Sequence, residues 1–179
     1  MLRFSSLLLV ISALCFHLAH GAPQLLPRFN WAKGAMWGGP HGTWFDDSGV
    51  LAKFGSPRLA SITLRGDKRL DGISYTVFDD SNNGSKNFQH GGSGGKEVKF
   101  DLWSDEYITQ FTICTDKHGG RTRVFSFGFS TNKPNRKIFV GSRSGNCIDR
   151  KTSTNMRLIG FFGQKGNEID ALGFVSKYV

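Results

Sequence analysis

The sequence predicts an all-β domain assembled from three hairpin-centred units. Two observations carry this reading. Apolar residues alternate with polar ones over short runs between glycine-rich turns, and no window holds apolar residues at helical spacing over three capped turns. There is also a weak internal repeat, because Ile62–Val77 and Leu158–Val175 share one plan. Each reads as an apolar strand, a polar turn with glycine, and a second strand entered through an acid, Asp71 or Asp170. Phe111–Ser130 follows the plan with its turn at Asp116–Thr122 but lacks the acid. The 23 glycines and 16 phenylalanines suit tight turns around an aromatic interior, so the units are expected to be pseudo-threefold copies in one domain.

The elements follow in order. Met1–Gly21 has a basic Arg3, the apolar run Leu7–Phe16 and small residues around Ala19-His20-Gly21, which is the pattern of a secretory signal peptide. It is too short to span a membrane, and no later stretch is long enough. The protein is therefore expected to be secreted or to enter a secretory-granule lumen. Residues 22–35, with two prolines and no clear period, read as an extended leader ahead of a domain over 36–179. The glycine-rich loop Trp37–Gly42 then runs into Thr43–Phe45. Strands are expected where Ala60, Ile62 and Leu64 alternate, and again at Ile73, Tyr75 and Val77. Asp79–Gln89 reads as a polar loop leading to a second glycine-rich loop, His90–Gly95. Alternation resumes at Val98, Phe100 and Leu102, at Phe111 and Ile113, at Phe125, Phe127 and Phe129, and at Ile138 and Val140.

Cysteine usage fits the secretory route. Cys15 lies in the signal, leaving Cys114 and Cys147, and in an oxidising compartment the default for two strand-borne cysteines is one disulfide. Asn83-Gly84-Ser85 is a glycosylation sequon in polar sequence, with Asn83 the acceptor.

The candidate site is the stretch Gly163–Gly173. Gly163 and Gly166 leave backbone N–H groups uncovered, Asn167 favours a turn, and Asp170 sets a carboxylate at the start of the exit strand. N–H donors beside a carboxylate acceptor suit a ligand with adjacent hydroxyls, because each hydroxyl both donates and accepts. The same residues also make an ordinary hairpin turn.

Further residues match a known family. Trp37–Gly42 with Phe45-Asp46-Asp47, Leu70-Asp71-Gly72-Ile73, His90–Gly95 with Glu97, Glu106-Tyr107-Ile108-Thr109, Ser130–Lys133 and Gly160–Gly173 resemble, in family order, the jacalin-related lectins. The resemblance covers Gly34–Val175 and implies a β-prism I fold, three four-stranded antiparallel sheets, with a sugar site at one end. It implies that Gly42 and the loop Gly166-Asn167-Glu168-Ile169-Asp170 hold the sugar. The amides of Gly42, Asn167 and Glu168 would donate, and Asp170, in a solvent-facing loop, would accept from two hydroxyls. Some members carry a second site at the first repeat. Here the turn Gly66–Asp71 reads as one residue too long, which would displace Asp71 from Gly95. The chain runs unbroken through Trp37, like mannose/glucose-type members, and its secretory layout is similar to animal zymogen-granule lectins. Mannose-type glycans are the expected partners, with no cofactor, no metal and no catalysis.

The charge adds a second expectation. The net charge is +9, or +8 once Arg3 leaves with the signal, which attracts polyanions over a salt-screened range. Lys165 lies in the candidate loop and Lys68 and Arg69 in the first turn, so sulfated or acidic glycans are candidate ligands of the basic surface. Nucleic acid would suit the charge but not the secretory signal. The histidines His41, His90 and His118 form no metal motif, and the acids Asp46, Asp47, Asp79 and Asp80 sit at turns rather than in any recognisable catalytic arrangement. The alternative to a lectin is a secreted interaction or effector-like module on the same fold with a decayed sugar site.

Overall fold

The computed structural model describes residues 30–179; the expected signal peptide and most of the expected leader lie outside them. The strands in chain order are β1 (Trp31–Gly38), β2 (Thr43–Asp46), β3 (Pro57–Gly66), β4 (Leu70–Asp79), β5 (Gly84–Gly91) and β6 (Lys96–Asp101). There follow β7 (Ile108–His118), β8 (Arg121–Thr131), β9 (Lys137–Gly141), β10 (Asn146–Lys151), β11 (Met156–Lys165) and β12 (Ile169–Tyr178). A single-turn helix, α1 (Ser48–Leu51), follows β2. The strands form three four-stranded antiparallel sheets in the orders β1-β12-β11-β2, β5-β4-β3-β6 and β10-β7-β8-β9. These are the three faces of the expected prism, and the first two strands close the sheet begun by the last two.

Period-two patterning explains the interior. Ile62, Leu64, Ile73, Tyr75 and Val77 point inward from one face, Ile113, Phe127 and Phe129 from another, and Phe161, Leu172 and Phe174 from the third; all are buried. Aromatic rings from the three faces meet on the prism axis. The Phe161 ring lies edge-on to Tyr75 at 5.0 Å and to Phe127 at 6.0 Å. The Cys114–Cys147 disulfide joins directly paired residues of β7 and β10, which ties the edge strand β10 to its sheet.

Three details depart from the sequence reading. Trp31–Ala35, read as the end of a leader, form the first part of β1 and pair with β12. Asp79–Gln89, read as a polar loop, contains most of β5. That strand lies on a sheet edge, and between Gly84 and Gln89 only Phe88 is buried. Alternation breaks at a bulge between Leu59 and Ser61, so Leu59 rather than Ala60 enters the core.

Candidate functional site

Three equivalent corners lie at one end of the prism, each marked by two glycines four residues apart. They are Gly38 and Gly42 (φ +130° and +80°), Gly91 and Gly95 (+87° and +65°), and Gly141 and Gly145 (+91° and +67°). The first glycine of each pair packs on the backbone of a neighbouring strand. A Cβ on Gly38, Gly91 or Gly141 would lie 2.2, 2.3 or 2.0 Å from the carbonyl oxygen of Asp170, Asp71 or Phe125. Asp170, Asp71 and Phe125 therefore occupy one structural position in the three units, and the third has lost its acid.

At the first corner the expected residues Gly42, Gly166, Asn167, Glu168 and Asp170 come together around a shallow cavity of about 400 Å³. Gly166 N–H closes the turn onto the Glu168 carbonyl at 2.9 Å. Among the described residues no acceptor takes the amides of Gly42, Asn167 or Glu168, which leaves three donors around one carboxylate. Gly42 is required here. Its φ is positive, and a Cβ would lie 2.4 Å from Asp170 Oδ2 and 2.5 Å from the Lys165 carbonyl. Lys165 thus flanks the site through its backbone.

Two arginines missed by sequence reasoning complete the cavity wall. Arg121 and Arg123 come from β8, on a different face of the prism. Strands β7 and β8 pair out to His118 and Arg121 across the two-residue turn Gly119-Gly120, with φ of +57° and +77°. The turn is therefore tighter, and its strands longer, than the sequence plan placed at Asp116–Thr122. Thr122 rests on Gly39, where a Cβ would lie 2.5 Å from the Thr122 carbonyl oxygen, so the hairpin tip leans over the first corner. Arg123 Nη1 pairs with Asp170 Oδ1.

This corrects the expectation that Asp170 faces solvent: it is only 3% exposed, covered by Arg123 and Gly42. Removing one member of such a buried pair costs about 3–5 kcal/mol. Glu168 is also engaged, since its carboxylate receives Arg69 Nε at 2.7 Å and Nη2 at 2.8 Å. Arg69, expected to serve polyanions, is thus held by an acid of the sugar loop, while Lys68 is exposed beside it.

The second corner is better formed than the sequence suggested. Pairing shifts between Arg65 and Gly66 as it does between Gln164 and Lys165, so Gly66 corresponds to Lys165 and not to Gly166. The two turns then have equal length, and Asp71 is not displaced: a Cβ on Gly95 would lie 2.7 Å from Asp71 Oδ2. Burial pushes the Asp71 carboxyl above the usual aspartate range, and the nearby Glu168 and Asp67 charges add to this while Arg69 opposes it. Asn83 is exposed in the β4–β5 turn, at the far end of β4 from Asp71. No cluster of metal-ligating side chains occurs among the described residues.

Comparison with known proteins bears on the family and the fold. The model of the jacalin-like lectin domain matches residues 35–175. The chain belongs to the jacalin-like lectin family. Horcolin from Hordeum vulgare is 30% identical over 123 residues, covering 65% of this chain and 80% of horcolin. The secreted RxLR effector protein 19 of Plasmopara viticola is 30% identical over 140 residues, covering 76% and 75%. Among solved structures, AcmJRL, a mannose-binding jacalin-related lectin from Ananas comosus, superposes with a TM-score of 0.72 at 25% identity, over 84% of this chain and 99% of AcmJRL. The three sheets are the β-prism I fold of these lectins.

Proposed function

We propose that the protein is a secreted lectin that takes mannose/glucose-type sugars at the Gly42 and Gly166–Asp170 corner and does no catalysis there. The observation that carries this reading is the set of three open amides that share one cavity with the Asp170 carboxylate. Such a set matches vicinal hydroxyls, and AcmJRL, on the same fold, is mannose-binding. A shallow site with a handful of exchanged hydrogen bonds gives a monosaccharide Kd of order 0.1–10 mM, about −3 to −5 kcal/mol. Useful avidity then calls for an oligomer or an extended glycan that also reaches Lys68, Lys165 and the basic surface, where sulfated or acidic chains would add attraction.

A second reading has its own support. Arg123 already sits on Asp170, and one relative is a secreted effector, so an interaction module with a closed sugar site fits both facts. A glycan array probed with wild type and Asp170→Asn, at low and high salt, separates the two. The lectin reading expects mannose-type signals that resist salt and vanish in the variant. Signals only on sulfated or acidic glycans, lost in salt and indifferent to Asp170, move the function to the basic surface, and silence on every glycan favours the interaction module.

A further inference from the structure

The Arg123–Asp170 pair is hard to reconcile with a site for neutral sugars alone. A hydroxyl ligand needs both Asp170 oxygens as acceptors, yet Oδ1 is covered by the guanidinium and Oδ2 is turned towards Gly42. A neutral sugar that pushed Arg123 aside would leave this cation, whose side chain is only 15% exposed, with no carboxylate but Glu168, 4.0 Å from its Nε and already held by Arg69. That loss is of the same order as the whole affinity of such a site.

The charges around the cavity are also unbalanced. Arg69 neutralises Glu168 and Arg123 neutralises Asp170, while Arg121 on the same wall is exposed and has no carboxylate partner among the described residues. The hairpin that brings both arginines is seated on Gly39, so their arrival at this corner is built into the backbone.

We propose that Arg123 is a specificity-determining residue and that this corner selects a sugar carrying an anion, a carboxylate or a sulfate, beside its hydroxyls. The proposal rests on the lectin reading above. The ligand's anion receives the Arg123 guanidinium in exchange for Asp170, with Arg121 as the second cation. Asp170 and the amides of Gly42, Asn167 and Glu168 are then free for hydroxyls. Guanidinium forks bind carboxylates and sulfate-like oxyanions in a bidentate manner, so the exchange replaces one charge-assisted pair by another.

Calorimetric titration of the folded protein with methyl α-mannoside, methyl α-mannuronoside and monosulfated mannosides tests this. Wild type should bind one anionic derivative about tenfold more tightly than the neutral sugar, as a desolvated charge pair would give. Comparing mannuronoside with the sulfates tells which anion is meant. In Arg123→Gln the order should cross over: the anionic sugar weakens about tenfold while methyl α-mannoside strengthens, because its acceptor has been uncovered. A merely structural Arg123 would weaken both. If the variant fails to fold, the exposed Arg121→Gln decides, and should lower anionic binding several-fold and so reduce the anionic-to-neutral ratio.

The proposal is overturned if Arg123→Gln, or Arg121→Gln in its place, leaves the anionic-to-neutral ratio at its wild-type value. In that case Asp170-dependent mannoside binding would still uphold the lectin reading. If neither wild type nor Arg123→Gln binds any of these sugars at millimolar concentration, both fall together.

Discussion

Asp170 and Asp71 occupy the same place in two copies of one corner, and their surroundings have made them different groups. Each is the unpaired residue beside a bulge at the start of a strand, facing the second glycine of its loop. Asp170 is covered by an arginine from a third unit, whereas Asp71 is half-buried and no cation pairs with it among the described residues. The turn residues diverge as well: Gly166-Asn167-Glu168 at one corner, Asp67-Lys68-Arg69 at the other. Shared backbone geometry thus supplies a carboxylate and a glycine twice, but the neighbouring hairpin decides which carboxylate an arginine covers. The third unit has Phe125 where the others have an acid, and its hairpin tip serves the first corner instead.

The largest expected effect comes from filling one glycine and then the other. Gly42→Ala puts a methyl 2.4 Å from Asp170 Oδ2, and Gly95→Ala puts one 2.7 Å from Asp71 Oδ2 and 2.5 Å from the Gly66 backbone. Both positions have positive φ, so each variant should lose about 1–3 kcal/mol of stability by denaturant melting. Only Gly42→Ala should abolish Asp170-dependent sugar binding. Equal losses of binding in the two variants would mean that both corners take sugar and would erase the functional distinction between them.

A smaller effect is expected from the clamp that ties the two corners together. Arg69 and Glu168 form a two-pronged pair with side chains 23% and 18% exposed, which joins the β3–β4 turn to the β11–β12 turn. A double-mutant cycle with Arg69→Gln and Glu168→Gln should give a coupling of about 1 kcal/mol in stability. Because the clamp orients the turn carrying the Glu168 amide, either single variant should also weaken mannoside binding about two- to threefold. Zero coupling would show that the corners behave independently despite the contact.

Much of this could be read in the chain, and the failures have physical causes. The glycine loops, the acid after each of two turns and the inward-facing Ile62, Leu64, Ile73 and Val77 are local patterns, and local patterns survive in a sequence. Cys114 and Cys147 also sat in strand-like sequence, and they prove to be direct cross-strand partners. Asp71 was misplaced because the count began at Gly66, although the bulge makes Gly66 the counterpart of Lys165. Arg123 was invisible for a different reason. It is 47 positions from Asp170, and nothing near it resembles a sugar site; the one local signal is Gly119-Gly120, which lengthens its hairpin. β5 was hidden because an edge strand with one wet face need not show apolar alternation, and there only Phe88 and His90 are buried.

The smallest effect is a titration. Burial, then the Glu168 charge, raises the Asp71 carboxyl above the ordinary aspartate value, with Asp67 adding and Arg69 opposing. A raised folded-state value means that the native protein holds this proton more tightly than the unfolded chain does. Its contribution to stability is therefore fully present below the unfolded value of ~3.9 and is lost as pH rises through the folded one. Glu168→Gln removes a repelling charge and also frees Arg69 to approach Asp71, so the Asp71 midpoint should fall towards the ordinary value. Carboxyl carbon NMR titration of wild type and variant reads this directly. An unchanged midpoint would mean that burial alone sets the proton affinity of Asp71, and that the two corners share a contact but no electrostatics.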